Sequence, residues 1–203
     1  MIVNERMVAY INSLDMGNTP LLDEIEARAR RERVPIIRRE MQSFLKMLLA
    51  MKRPMRILEV GTAVGFSALL FCEYGPPGCR VTTIEKYEKR IPQARENFRL
   101  AGREEQITFL TGDAQELLPA LKETYDFIFM DAAKGQYIHF LPDIFRLLEM
   151  GGVLVSDNVL QDGDLIESHS VERRNRTIYK RMREYLWELK HDKRLETSVI
   201  PLG

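Results

Sequence analysis

Five short runs rich in β-branched and aromatic residues recur through the later three-quarters of the chain: RILEV (56–60), RVTTI (80–84), QITFL (106–110), YDFIFM (125–130) and GVLVS (152–156). Helix-patterned stretches separate them. Runs this apolar, bounded by Gly, Asp and Asn, suit strands covered on both faces, and their alternation with helices predicts βαβ units and a parallel sheet. The expected fold class is α/β, Rossmann-like and doubly wound. A strand-like run, ETSVIPL (196–202), follows a helix expected from about Val171 to Lys190. The first fifty residues are expected to be helical, with Thr19-Pro20 opening one helix and Asp23, Glu24 and Glu26 near its positive dipole end. The chain thus divides into a helical layer (1–52) and a Rossmann-like core (53–203). At 203 residues it is expected to form a single domain.

Charge removes some partners from consideration. Thirty Lys plus Arg offset thirty Asp plus Glu, so attraction to nucleic acid or membrane must come from a local patch. Cys72 and Cys79 have neither CxxC spacing nor enough companions for a zinc site or a disulfide framework, which fits a reducing cytoplasm. No apolar run approaches bilayer length, and MIVNERMVAY is an amphipathic start rather than a signal peptide, so no membrane association is expected.

In an open parallel sheet the ligand lies beyond the carboxyl ends of the strands, so the residues after each run carry the functional reading. They are Glu59-Val60-Gly61-Thr62-Ala63-Val64-Gly65-Phe66-Ser67, then Glu85, Gly112-Asp113-Ala114, Asp131-Ala132-Ala133-Lys134 and Asp157-Asn158. The glycine turn lets backbone approach a ligand closely, and Glu85, 24 positions beyond Gly61, stands where ribose hydroxyls are bound in nucleotide-binding α/β folds. Together they point to an adenosine-containing ligand. GTAVG is neither GxGxxG nor a phosphate loop, which favours a ligand without phosphates, although such a turn can also serve packing alone. Asp131, Asp157 and Asn158 offer hard oxygen ligands of the kind Mg²⁺ accepts, the bland alternative being a simple Asp-Asn turn. Lys134, three residues beyond Asp131, would stand close enough to take a proton from a hydroxyl acidified by such an ion.

The combination LEVGTAVGFSA, TIE, GDA, FMDAAKGQY and DNVL resembles the cation-dependent O-methyltransferases, the family of the catechol and caffeoyl-coenzyme A enzymes. The resemblance covers nearly the whole chain. It implies a class I methyltransferase fold with a mostly parallel, seven-stranded sheet and extra N-terminal helices. It further implies S-adenosylmethionine over the Glu59 to Gly65 turn, with Thr62 in the turn, Ile37 and Ser67 near the methionine end, Glu85 on the ribose and Asp113-Ala114 by the adenine. Asp131, Asp157 and Asn158 match the metal ligands and Lys134 the general base, with Asp131 shared between metal and cofactor sites. A homodimer is also implied. Within the family the chain is most similar to bacterial tRNA 5-hydroxyuridine methyltransferases, through VPI before the first strand, DAAKGQY, and an Arg-rich helix followed by a TxxIPxG ending.

Substrate choice rests on that helix. Between Val171 and Arg194 nine Lys or Arg face four Asp or Glu. Ile178, Met182, Tyr185, Leu186 and Leu189 form the expected buried stripe, leaving Arg173, Arg176, Lys180, Arg183 and Trp187 on the opposite face. Such a face suits phosphates and an unpaired base in a tRNA anticodon loop, whereas its bland counterpart is a solvated surface. The leading expectation is therefore methylation of 5-hydroxyuridine at the tRNA wobble position. Two alternatives stand beside it: methylation of a small catechol-like or caffeoyl-CoA-like diol, and a non-catalytic nucleotide- or RNA-binding module.

Overall fold

In the computed structural model, which describes residues 3–163, 165 and 176–201, three helices precede the sheet: α1 (Glu5–Ser13), α2 (Pro20–Arg31) and α3 (Arg39–Lys52). The core follows as β1 (Arg56–Val60), α4 (Phe66–Tyr74), β2 (Arg80–Glu85), α5 (Ile91–Leu100), β3 (Ile107–Thr111), α6 (Ala114–Ala120), β4 (Tyr125–Met130), α7 (Tyr137–Leu147), β5 (Leu148–Ser156) and α8 (Arg176–His191). Thr19 caps α2 and Pro20 is its first residue, as the sequence predicts.

The strands lie in the order β3-β2-β1-β4-β5, every neighbouring pair parallel. The chain winds outward from β1 to β3, crosses back beyond β1, and continues through β4 to β5. The direction of winding therefore reverses between β1 and β4, and a crevice opens there at their carboxyl ends. Both faces of the sheet are covered. Phe127 and Phe129 of β4 pack with α2 to α5, whereas Ile128 and Met130 pack with α6, α7 and α8.

The N-terminal helices have a physical reason to be there. Every residue of α4 from Phe66 to Cys72 is buried, so this helix is apolar all round and needs cover on its outer side as well as on the sheet side. Leu22, Ile25 and Ala29 of α2 and Leu45 and Leu49 of α3 supply that cover within one continuous cluster. At about 25 cal/mol per Å², a buried Leu or Ile contributes about 1.5–3 kcal/mol.

Three expectations need correction. The sheet has five strands among the described residues, not seven. The run from Glu196 to Pro201 makes no strand: Thr197 is tied to α8, its hydroxyl donating to the Leu189 carbonyl at 2.8 Å and its carbonyl accepting from Lys190 Nζ at 2.7 Å. On α8 the buried residues are Tyr179, Met182, Tyr185 and Leu189, so Tyr179 replaces Ile178 and Leu186, which are only partly buried. No helix among the described residues is long and apolar enough to cross a membrane.

Candidate active site

Backbone ladders extend one step beyond the strands and bring the rim residues into register. Gly112 N–H donates to the Glu85 carbonyl, Gly61 N–H to Ile84, Asp131 N–H to Val60 and Asp157 N–H to Met130, at 2.9–3.0 Å. Polar residues placed directly after each strand therefore line up along one edge. Above them lies a cleft of about 470 Å³, lined by Ile37, Gly61, Thr62, Ser67, Glu85, Asp113, Ala114, Asp131, Lys134 and Asn158 among the expected residues. That size suits a cofactor-sized organic ligand.

The turn after β1 has a tight geometry. Gly61 has φ +95°, and a Cβ there would stand 2.4 Å from the Asp131 carbonyl oxygen. Only glycine fits between the ends of β1 and β4. The Glu85 carboxylate joins two turns, accepting from Ala63 N–H and from Tyr87 N–H, both at 2.7 Å. Asp113 caps α6, accepting from Gln115 N–H at 2.9 Å, and this bond together with Lys86 at 3.2 Å holds its carboxyl below the usual range. Gly65, expected at the ligand, instead faces Phe98: a Cβ would meet that ring at 2.4 Å. It serves packing between α4 and α5.

Glu59 lies beneath the turn, fully buried and outside the cleft lining. Its Oε2 accepts from the Thr83 hydroxyl at 2.5 Å, while Glu59 Oε1 and Thr62 Oγ1 have no hydrogen-bond partner among the described residues. Burial pushes the Glu59 carboxyl up from 4.5 to about 7, against hydroxyl contacts that lower it. Between those two values the folded protein holds a proton that the unfolded chain releases, so stability falls as pH rises through the window. The full contribution is about 3 kcal/mol. Glu59→Gln keeps the shape without the ionisation, and urea midpoints at pH 5 and pH 8 should show a correspondingly smaller loss. An unchanged pH dependence would show that the slope arises elsewhere.

At the other end, Lys134 Nζ donates to Asp131 Oδ1 at 2.7 Å and to the Tyr137 hydroxyl at 3.0 Å. Asp157 is buried, and desolvation, followed by repulsion from Asp131, raises its carboxyl from 3.8 to about 6. Its Oδ1 accepts from Asn158 N–H at 2.7 Å, and Asn158 itself sits at φ +55° on the cleft wall. Among the described residues no group of three or more His, Cys, Asp or Glu could hold a metal. A cation here would be held by the carboxylates of Asp131 and Asp157 and the Asn158 amide oxygen, an all-oxygen set of the kind Mg²⁺ takes. Two carboxylates whose charges oppose each other fit that group. The glycine cradle and the Glu85 carboxylate likewise fit an adenosine-bearing cofactor.

Further residues surround the site, and of these Lys86, Tyr87, Arg90, Asn97 and Phe140 are not singled out by the sequence. Pro35, Ile36 and Phe140 give the cleft apolar walls, and Lys86, Tyr87 and Arg90 stand at the Asp113 end. Asn97, buried on α5, donates to the Val64 carbonyl at 2.7 Å and pins the glycine turn from outside, while Arg28 donates to its side-chain oxygen. A second cavity holds Arg30, Arg38 and Arg39, but buried Glu26 already engages Arg30 and Arg39 at 2.5 and 3.3 Å. On α8, Arg176, Lys180, Arg183 and Trp187 are exposed, Trp187 being stacked on His191. Lys180 pairs loosely with Glu184, and Arg183 donates to the Leu165 carbonyl. Arg173 lies outside the described residues.

The O-methyltransferase family model matches residues 13–203. A catechol O-methyltransferase of Niastella koreensis is 34% identical over 64% of this chain, which spans 60% of that relative's length. Caffeoyl-CoA O-methyltransferase 2 of Populus trichocarpa is 30% identical, with 79% of this chain and 68% of that protein covered. The SAH-bound methyltransferase PaMTH1 of Podospora anserina superposes with a TM-score of 0.87 at 25% identity, covering 98% of this chain and 91% of that one.

Proposed function

The chain belongs to the O-methyltransferase family, and from that premise we propose that it transfers a methyl group from S-adenosylmethionine, with a divalent cation, to one hydroxyl of a catechol-like or caffeoyl-CoA-like diol. The observation that carries this reading is the position of Lys134: its Nζ lies at 2.7 Å from Asp131, on the cleft that the Gly61 turn and Glu85 also line. When bound, the donor supplies a methyl whose C–S electron pair leaves on sulfur, and the cation supplies positive charge that acidifies the acceptor hydroxyl. Glu85 holds the ribose end, and Ile37 with Phe140 excludes water. Asp131, Asp157 and Asn158 hold the cation. Lys134 takes the acceptor proton onto Nζ. Positioning and charge stabilisation then supply most of the acceleration, with no covalent enzyme intermediate.

The test is an acceptor panel with labelled donor and Mg²⁺: catechol, caffeoyl-CoA and, as a control with one free hydroxyl, guaiacol. We expect methylation of the two vicinal diols, not guaiacol, and its loss with EDTA. Transfer that survives EDTA, or equal use of guaiacol, would count against the reading.

A second acceptor is favoured by one observation. α8 packs against the loop of the catalytic lysine, with Arg181 donating to the Gly135 carbonyl at 3.2 Å, and it presents Arg176, Lys180, Arg183 and Trp187 outward. This supports tRNA bearing wobble 5-hydroxyuridine, whose 5-hydroxyl stands beside the C4 oxygen much as catechol's two oxygens do. Including that tRNA in the panel decides between them, because its use should weaken steeply with salt whereas catechol's should not.

A further inference from the structure

Resting on the methyl-transfer reading above, we propose that Tyr137 is a positioning residue that fixes the direction in which Lys134 meets the acceptor hydroxyl. Tyr137 opens α7, directly after the turn that carries Lys134, and is completely buried. A buried phenol has one proton to donate and lone pairs with which to accept. Here the proton goes to the Met130 carbonyl at 2.8 Å, with the Asp157 carbonyl 3.4 Å away, and the oxygen accepts from Lys134 Nζ at 3.0 Å. Met130 is the residue immediately before Asp131. One hydroxyl thus ties the lysine to the ends of both strands that carry Asp131 and Asp157.

The ring is fixed as well. Tyr185 of α8 meets it edge-on with centroids 5.4 Å apart, and the Tyr185 hydroxyl is held by Ser156 Oγ at 2.6 Å, at the end of β5. Tyr137 therefore has little freedom to follow the lysine. The consequence lies at Nζ, a tetrahedral nitrogen with four directions. Cε takes one, Asp131 the second and Tyr137 the third. The single direction that remains is available to the cleft, where Lys134 is part of the wall. As the free amine, Nζ can satisfy Asp131 and Tyr137 with its two N–H bonds, which leaves the lone pair along that fourth direction. Without the phenol oxygen, the amine can rotate and direct an N–H at the acceptor instead.

Tyr137→Phe keeps the ring and removes the oxygen. We expect kcat to fall about tenfold or more while KM for S-adenosylmethionine stays within about twofold. In a Lys134→Ala background the same change should alter residual kcat by less than about twofold, because the residue acts through the lysine. An equal loss in both backgrounds, or no loss in either, would overturn the proposal. Tyr185→Phe keeps the ring that packs on Tyr137 and removes only a hydroxyl that does not touch Lys134, so it should lower kcat much less than Tyr137→Phe does; a matching loss would mean that packing, not the bond to the lysine, matters. A crystal structure of ligand-free Tyr137→Phe gives a readout independent of turnover: Nζ should leave its present position between Asp131 and residue 137, and an unmoved lysine sinks the idea. If the unmodified protein methylates no acceptor, the functional reading fails by itself and the crystal structure alone decides the role of Tyr137.

Discussion

Asp131→Ala should lower methyl-transfer turnover by about a thousandfold or more, while the dissociation constant for S-adenosylmethionine changes by less than about threefold. The asymmetry follows from what the side chain does and what the backbone does. The carboxylate holds Lys134 at 2.7 Å and opposes the charge of Asp157, so its loss frees the proposed base and halves the anionic charge of the candidate cation site. The backbone of residue 131 is independent of this chemistry: its N–H donates to Val60 at 2.9 Å and its carbonyl abuts Gly61, and alanine preserves both. Calorimetric titration with the donor, set beside turnover on the best acceptor, separates the two effects. Retained turnover would remove Asp131 from the chemistry. A function that persists in the variant without any methyl transfer would favour a non-catalytic binding module instead.

The order of elements and the rim could be read from the sequence because they depend on local pattern: apolar runs of strand length, and polar residues immediately after them. Glu85 is an example. Its distance from the glycine turn reflects the length of one βα unit, and the structure brings its carboxylate onto Ala63 N–H at 2.7 Å. Features decided by packing between distant segments were not legible. Gly65 looks like a ligand-facing glycine, yet what it makes room for is Phe98, a ring 33 residues further along. Asn97 pins the glycine turn through a hydrogen bond to the Val64 carbonyl, and no spacing rule marks a residue whose role is to satisfy a buried carbonyl elsewhere. ETSVIPL has strand composition, but a strand also needs a ladder partner, and Thr197 is committed to the end of α8. On α8 the buried stripe takes in Tyr179, which joins the core cluster under the sheet, whereas Ile178 is only partly buried and lies against Gly135.

The largest structural effect should come from Gly61→Val, which is expected to weaken S-adenosylmethionine binding by about a hundredfold and to destabilise the fold by about 2–4 kcal/mol. Two separate costs coincide at this position. With φ at +95°, any L side chain is strained, and a Cβ would also lie 2.4 Å from the Asp131 carbonyl oxygen and 2.9 Å from its carbon. Neither partner can give way cheaply. Gly61 N–H is bonded to Ile84 on one side, and Asp131 N–H to Val60 on the other, both at 2.9 Å, so separating residues 61 and 131 means opening a ladder between central strands. Glu85 is coupled to the same turn through Ala63, and a displaced turn carries that bond with it. Relief of the clash must therefore come from movement of the cleft floor, which is why binding and stability fall together. Thermal unfolding and donor titration on the purified variant measure both quantities. Gly65→Ala provides the contrast, because its Cβ meets the Phe98 ring rather than backbone beside the cleft, so stability should drop with a much smaller loss of donor affinity. If Gly61→Val binds the donor as tightly as the unmodified chain, the close approach of β1 and β4 is not what shapes the site, and the cradle must be sought elsewhere along the rim.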